Sequence, residues 1–329
     1  GINWGQKAKY IQVELDAEGG TNYTDMGSSE LLSVPYALYA KEAGNSGDTT
    51  KTTPAVAPLN NTLRGDGANW QSSAFLYNTG TSIGINTTSP VATLHVNNGS
   101  VLFTGNVGST PISGAGYRFM WVPEKRAFRA GYVVGPEWDN DSLGLNSFAI
   151  GNSTRATANY TTAIGFKAAA TDVGAIAFGF ETQTSGQYAF SAGRSTIASG
   201  DYSFAAGNSS AANGFYSFAL GAYTNANGNY SSAFGVRTYA KAYGSLVIGR
   251  YNTIAGDSTT WVATDPAFVI GNGTSAVARA NAFTVLKNGN TTVSGTLTIK
   301  GGSPAAGSVL TSDATGLASW STFGSLMPS

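Results

Sequence analysis

Residues 194–221 read RSTIASGDYSFAAG followed by NSSAANGFYSFALG, two 14-residue segments that each end in a Phe-Ala-x-Gly pattern. The spacing continues along the chain, with a glycine at every fourteenth position from Gly151 to Gly249. A second turn residue often follows seven positions after each of these glycines, so each unit divides into two halves. A fixed period of this kind predicts a solenoid, in which each unit forms one coil and stacks on the next through backbone hydrogen bonds.

Each unit carries a short apolar run before its glycine, and side chains in a strand alternate between two faces. The larger residues fall on one face, where they often alternate with smaller ones as a core of limited volume requires. We predict that this face forms the core of the roll, through Phe148, Ile150, Ile164, Phe178, Phe190, Phe204, Phe218, Leu220, Phe234 and Ile248.

The other face of each predicted strand carries very small residues. Small side chains let two backbones approach closely, and a thin coil buries little surface on its own. We therefore predict that this face packs against other copies of the chain, with trimer-interface candidates Ala149, Ala163, Ala177, Ser191, Ala205, Ala219 and Ala233.

The repeated Ser-x-Ala-hydrophobic-Gly unit, with its 14-residue period, resembles the head repeat of YadA-like trimeric autotransporter adhesins. The resemblance covers residues 147 to about 256, roughly a third of the chain. It implies a left-handed parallel β-roll with three chains to a head, which binds host matrix or other surfaces. Three units depart from the pattern, with Ala158, Asp172 and Ala242 at the position of the mid-unit glycine.

The flanking segments divide the rest of the chain. Residues 1–40 resemble the C-terminal part of an Ig-like β-sandwich or a strand-exchange segment, and residues 41–70 are predicted to be a linker. We predict a β-rich shaft or neck over 71–142, the YadA-like head over 143–257, and a β-rich C-terminal shaft over 258–329. An incomplete sandwich exposes strand edges, so it is either truncated or completed by a strand from a neighbouring chain.

Two further segments outside the repeat carry a signal. Residues 79–97 resemble segments that recur in phage tail fibres and bacterial fibre proteins. Asn288-Gly289 lies between two alternating apolar runs, which predicts a hairpin turn.

The composition argues against several other kinds of protein. The 18 basic residues balance 18 acidic ones, so no charge excess favours nucleic acid as a partner. The absence of cysteine removes disulfides and thiolate metal sites, and no apolar run is long enough for a membrane-spanning helix. An extracellular protein of this kind needs another source of stability, such as oligomerisation or a long regular ladder.

Few residues qualify for catalysis or metal binding. His95 is the single histidine and takes an alternating strand position, so a catalytic triad is not expected. Glu137, Asp139 and Asp141 alternate around Trp138, but the glycine and distal glutamate of a calcium loop are missing, which favours a solvated turn. We predict no catalytic, cofactor-binding or metal-binding residues.

Tyrosines recur at one position of five units and are expected to form an aromatic ladder on the roll. Such a ladder can bind sugars or a protein surface. Alternatively, the rings stack on one another and stabilise the solenoid, which is the interpretation that the sequence favours. The ladder consists of Tyr160, Tyr188, Tyr202, Tyr216 and Tyr230.

Together these features predict an all-β, homotrimeric, extracellular or cell-surface fibre subunit without enzymatic activity, which attaches to surfaces or cells. Its predicted partners are copies of itself, with end-to-end polymerisation through the N-terminal segment left open, and an unknown surface glycan or protein. The alternative is a receptor-binding tail fibre of a phage or contractile injection system.

Overall fold

The computed structural model describes residues 10–30, 60–65 and 70–322. This described part consists of β-strands and connecting turns, apart from two 3-10 turns at Pro136–Trp138 and Asn140–Ser142. The prediction of an all-β fold is therefore confirmed.

The chain divides into two compact units, and the first comprises residues 1–102. Its first two strands form an antiparallel hairpin in which every strand residue is exposed. Its other four strands form one sheet in chain order. The strands are β1 (Tyr10–Leu15), β2 (Thr24–Glu30), β3 (Asn61–Gly65), β4 (Trp70–Asn78), β5 (Ile83–Ile85) and β6 (Leu94–Val96).

Two sequence predictions bear on this first unit. β3 lies within the predicted linker over 41–70, because Asn61–Gly65 pairs with β4, so the linker cannot extend to residue 70. Residues 31–40, the second half of the segment that resembles an Ig-like sandwich, lie outside the described residues.

The second unit, residues 103–329, is built on a parallel β-roll. Each coil gives a five-residue strand to one sheet, and each coil except the last also gives a two-residue strand to another. The longer strands are β9 (Phe148–Asn152), β11 (Thr162–Phe166), β13 (Ile176–Phe180), β15 (Phe190–Arg194), β17 (Phe204–Asn208), β19 (Phe218–Ala222), β21 (Ser232–Val236) and β23 (Leu246–Arg250). The shorter strands are β10 (Arg155–Ala156), β12 (Ala169–Ala170), β14 (Gln183–Thr184), β16 (Ile197–Ala198), β18 (Ala211–Ala212), β20 (Asn225–Ala226) and β22 (Tyr239–Ala240).

The register of both sheets follows the sequence period. Phe190 pairs with Phe204 in the first sheet, and Ala198 pairs with Ala212 in the second. Each residue thus lies beside its equivalent in the next sequence unit, so one unit is one coil. The predicted β-solenoid is confirmed.

Antiparallel hairpins extend the larger sheet at both ends of the roll. At one end β7 (Gly116–Val122) pairs with β8 (Ala127–Val133), and β8 runs parallel to β9. At the other end β24 (Pro266–Asn272) runs parallel to β23 and is followed by antiparallel β25 (Asn281–Leu286) and β26 (Thr291–Val293). The hairpins cover the open edges of the parallel stack, as terminal caps do in other solenoids.

The described residues after β24 form the hairpin predicted at Asn288-Gly289 and one further hairpin. β25 and β26 are joined through Asn288-Gly289, where the glycine has a φ of 89°. A separate hairpin is formed by β27 (Ser308–Ser312) and β28 (Ala318–Thr322). The 13-stranded sheet itself runs past both predicted limits of the head, residues 143 and 257.

The interior of the roll is filled by columns of small side chains. The second residue of each long strand, such as Ala205, is buried, and so are the alanines that end the short strands, such as Ala198 and Ala212. Serine and threonine columns, represented by Ser203 and Thr196, fill the turns between them. Two sheets joined by such short turns lie too close for a phenylalanine between them, so alanine, serine and threonine pack the interior.

The two faces of the long strands are the reverse of those predicted. The residues expected at an interface between chains are fully buried inside their own coil: Ala149, Ala163, Ala177, Ser191, Ala205, Ala219 and Ala233. The residues expected in the core point outward and remain partly exposed: Phe148, Ile150, Ile164, Phe178, Phe190, Phe204, Phe218, Leu220, Phe234 and Ile248. The physical reason is volume, because so short a coil encloses too small a cross-section to hold the larger side chains.

Candidate attachment surfaces of the roll

The outward-facing apolar residues of the long strands form a continuous strip, called here the apolar band: Phe148, Ile150, Ile164, Phe178, Phe190, Phe204, Phe218, Leu220, Phe234 and Ile248. Neighbouring rings stack along it, with centroids 5.0 Å apart for Phe190 and Phe204 and 4.4 Å apart for Phe204 and Phe218. Leu220 retains 43% of its surface exposed. Contiguous apolar strips that stay partly exposed are typical of interaction surfaces.

The predicted tyrosine ladder lies on the turn that precedes each long strand. Its five rings are 44–61% exposed, and their backbones are left-handed, with φ of 52–62°. Four of them, Tyr188, Tyr202, Tyr216 and Tyr230, stack in order with centroids 5.6, 4.8 and 5.4 Å apart. Gly174 occupies the equivalent position between Tyr160 and Tyr188, so the stack is interrupted there.

Stacking restricts what the ladder can bind. The faces of adjacent rings cover one another, and Phe215 packs edge-on to Tyr216 with centroids 4.3 Å apart. The ring edges and hydroxyl groups remain accessible. The geometry therefore shows the self-stacking that the sequence favours, and binding by the ladder stays a prediction.

The loop after β23 lies beside the end of this ladder. In the other coils, paired residues are one repeat unit apart in the sequence. Leu246 pairs with Phe268, which is more than one repeat unit away, because the loop adds residues to this last coil. Within it, Asp257 accepts hydrogen bonds from Thr259 and Thr260, and these hold the pKa of its carboxyl well below the usual range. The loop is thus ordered by its own polar contacts.

A buried arginine closes the N-terminal end of the roll interior. Arg129 pairs with Ala149 and so lies in the column of small residues. Its guanidinium donates to the Ser147 carbonyl at 3.0 Å, the Ser147 hydroxyl at 2.8 Å and the Ala156 carbonyl at 3.0 Å. Burial lowers its pKa to about 10, so the group stays charged at neutral pH. The repeat pattern gives no signal for this residue, because it lies outside the repeat units.

The residues considered for other chemistry have structural contacts. His95 lies in β6, where Nδ1 accepts a hydrogen bond from the Val91 amide at 3.4 Å. Asp139 accepts from the Gly114 amide at 2.7 Å, and Glu137 accepts from the Gly135 amide at 2.8 Å. Within residues 10–30, 60–65 and 70–322, no group of three or more His, Cys, Asp or Glu is arranged to hold a metal ion.

Stacked coils with repetitive outer rows and a small-residue interior define a structural β-solenoid, a fold class that is typically not enzymatic. The family described as the YadA head domain repeat matches this array over residues 142–168, 156–182, 185–210, 198–224, 212–238 and 226–252. The roll is therefore an array of YadA head repeats, as the sequence resemblance implied, and the match supports an adhesin-like role.

No curated protein matches the chain. In the described parts of the chain, no helix is long and apolar enough to cross a membrane.

Proposed function

We propose that this chain is a structural and adhesive subunit of an extracellular, homotrimeric fibre that attaches to surfaces or cells. The apolar band carries the proposal, because it lies along a roll built of YadA head repeats and stays partly exposed in the single chain. YadA-like heads are trimeric, cell-surface adhesins. Three copies that place their bands together cover this surface from water.

The energetic gain from this assembly is large. Covering the remaining exposed part of one Phe, Leu or Ile is worth about 1 kcal/mol. The ten band residues of each chain therefore contribute on the order of 10 kcal/mol before the cost of association. A single thin coil buries little surface by itself, so assembly supplies much of its stability.

Oligomeric state tests the assembly. Sedimentation equilibrium of the purified chain is expected to give three times the mass of one chain. The double variant Phe204→Ser and Phe218→Ser removes two stacked rings of the band and is expected to dissociate or weaken the trimer. The matched control, Tyr202→Ser and Tyr216→Ser, changes the same two coils and removes two stacked rings from the ladder, and should remain trimeric. A wild-type chain that sediments as a folded monomer contradicts the proposal.

Attachment is tested separately with the fluorescently labelled wild-type chain. Binding to immobilised matrix proteins, to cultured animal cells or to a glycan array is expected above that of a labelled control protein of similar size. A trimer that binds none of these surfaces, and no bacterial cells either, contradicts an adhesive role.

The alternative function is a receptor-binding tail fibre of a phage or contractile injection system. It is favoured by residues 79–97, which resemble segments that recur in phage tail fibres as well as in bacterial fibre proteins. Preferential binding of the labelled chain to whole bacterial cells, and not to matrix proteins or animal cells, supports this alternative.

End-to-end polymerisation through the N-terminal segment is a further part of the proposal. Both faces of the β1–β2 hairpin are exposed, and an isolated two-stranded hairpin is marginally stable in water. A strand from a neighbouring trimer gives this hairpin a further partner. Electron microscopy of the purified chain before and after removal of residues 1–40 tests it, because filaments are expected only with the segment present.

A further inference from the structure

One corner of the roll carries a cluster of arginines near its C-terminal end. The residue two positions after each repeat glycine forms a column along this corner, in which Tyr223, Arg237 and Tyr251 follow one another in successive coils. The central guanidinium carbon of Arg237 lies 4.5 Å from the Tyr223 ring centroid and 5.7 Å from that of Tyr251. The Arg237 side chain is therefore held between two aromatic rings.

Two more arginines converge on the same corner. The Arg279 guanidinium carbon lies 6.0 Å from the Tyr251 ring centroid, and its Nη1 donates to the Asn252 carbonyl at 3.1 Å. Arg250 precedes Tyr251 and donates from Nε to the Gly273 carbonyl at 2.9 Å. Arg237, Arg250 and Arg279, with the rings of Tyr223 and Tyr251, are called here the arginine corner.

In the described part of the chain, no acidic residue pairs with the arginine corner. The ion pairs in the described part of the chain join Arg118 to Asp139, Lys167 to Glu181 and Lys287 to Asp265, and none of them involves the arginine corner. The Arg237 guanidinium, which is exposed, donates no hydrogen bond to any residue within 10–30, 60–65 and 70–322. Its charge is left to solvent or to a ligand.

The same column also holds a basic residue that does have an acidic partner. Lys167 occupies the position equivalent to Arg237 five coils earlier, and its Nζ lies 3.5 Å from Oε1 of Glu181 in the next coil. The roll thus neutralises a basic residue at one place in this column and leaves one without an acidic partner at another. Two guanidinium groups around the single ring of Tyr251 repel one another, and a bound anion removes that repulsion.

The arrangement fits an anion attached to a ring. Guanidinium groups bind carboxylate and sulfate through paired hydrogen bonds. In the arginine corner, contacts with tyrosine rings and backbone carbonyls hold the arginine side chains in position before a ligand binds. Tyr223 is 49% exposed and has no ring–ring contact in the described part of the chain, so part of its side chain is accessible to a sugar ring.

We propose that the arginine corner binds an acidic sugar, with its carboxylate or sulfate on Arg237 and Arg279 and its ring against Tyr223. This inference rests on the proposed adhesive function and names the ligand class. A trimer presents three such sites, and their combined binding compensates for a weak single site. Nucleic acid fits less well, because it requires a long basic track and this cluster spans only the last coils of a chain with zero net charge.

The test measures binding of the full chain to immobilised sulfated heparin octasaccharide and to oligogalacturonate, with dextran as the neutral sugar. Wild-type protein is expected to bind one or both acidic sugars and not dextran, and binding should weaken as salt is raised. Arg237→Gln is expected to lower the affinity about tenfold. The matched control Lys167→Gln, in the same column, should bind like wild type.

The outcomes separate this inference from the broader function. Equal losses in both variants, or equal binding to dextran and the acidic sugars, overturn the arginine corner as the site. Stronger binding to a DNA oligonucleotide of equal charge, or to inorganic sulfate as well as to the sugars, overturns the assignment to an acidic sugar. If the chain attaches to cells or matrix and binds no acidic sugar, this inference fails and the adhesive function stands.

Discussion

At the scale of single residues, the repeat glycine marks the closest approach between coils. A Cβ built on Gly207 would lie 2.0 Å from the carbonyl oxygen of Gly221 in the next coil, and the φ of Gly207 is 115°. Both the space and the backbone conformation therefore exclude a side chain. The repeat period is visible in the sequence because this requirement recurs in every coil.

Gly207→Ala is expected to destabilise the roll by about 3 kcal/mol or more, because the clash is with backbone and the φ is strained. Thermal unfolding at fixed protein concentration measures the effect. Gly289→Ala is the control, since Gly289 also has a positive φ of 89° but no atom near its Cβ position, and it should cost only about 1 kcal/mol. Equal losses in the two variants would show that coil contact is not the cause.

A second residue-scale feature is the cation that ends the interior column. Arg129→Met removes the donor to four oxygen atoms and leaves these acceptors without their partner. We expect a loss of about 2–3 kcal/mol, concentrated in the first coils. Hydrogen exchange should show lower protection over residues 148–166 than over the last coils. The exposed Arg126→Met, in the turn of the same hairpin, is the control and should leave protection unchanged.

At the scale of elements, the turns before the long strands combine backbone strain with ring stacking. A tyrosine at positive φ is costly, yet five coils adopt this arrangement. In four of them the rings stack, and each stacked pair contributes about 0.5–1.5 kcal/mol beyond simple burial. Gly174 breaks the ladder, with its Cβ position 2.4 Å from the ring of Tyr188.

Gly174→Tyr is expected to join Tyr160 to the rest of the ladder and to raise the melting temperature slightly, because the new ring stacks on both neighbours. The ring of Tyr188 must shift to admit it, as the rings do in the other coils. Gly174→Ala brings the same backbone strain without the ring and should lower the melting temperature. If the tyrosine variant is as unstable as the alanine variant, the ladder does not stabilise the roll.

At the scale of the whole molecule, the roll is a stack in which each coil contacts mainly its neighbours. Such a stack tolerates loss of a complete unit, because every remaining strand still faces its equivalent. It does not tolerate a partial unit, because a shift of one position turns each side chain to the opposite face.

Removal of residues 194–207, one full unit, is therefore expected to preserve the β-sheet circular dichroism spectrum and the oligomeric state, with a modest loss of thermal stability. Removal of residues 195–207 leaves one position of the unit behind and should abolish cooperative unfolding or the folded state. Similar behaviour of the two deletions would contradict a roll whose coil length is fixed by the repeat.

The amino-acid sequence predicted the period, the all-β class, the solenoid and the hairpin turn at Asn288-Gly289, because glycine spacing and strand alternation are local signals. It did not determine which face of the strand lies inside. Phe204 and Ala205 alternate in either arrangement, and only the narrow space between the two sheets decides that Ala205 is interior. Likewise, Arg129 as a cap and Arg237 beside Arg279 depend on contacts between distant parts of the chain, which only the tertiary structure brings together.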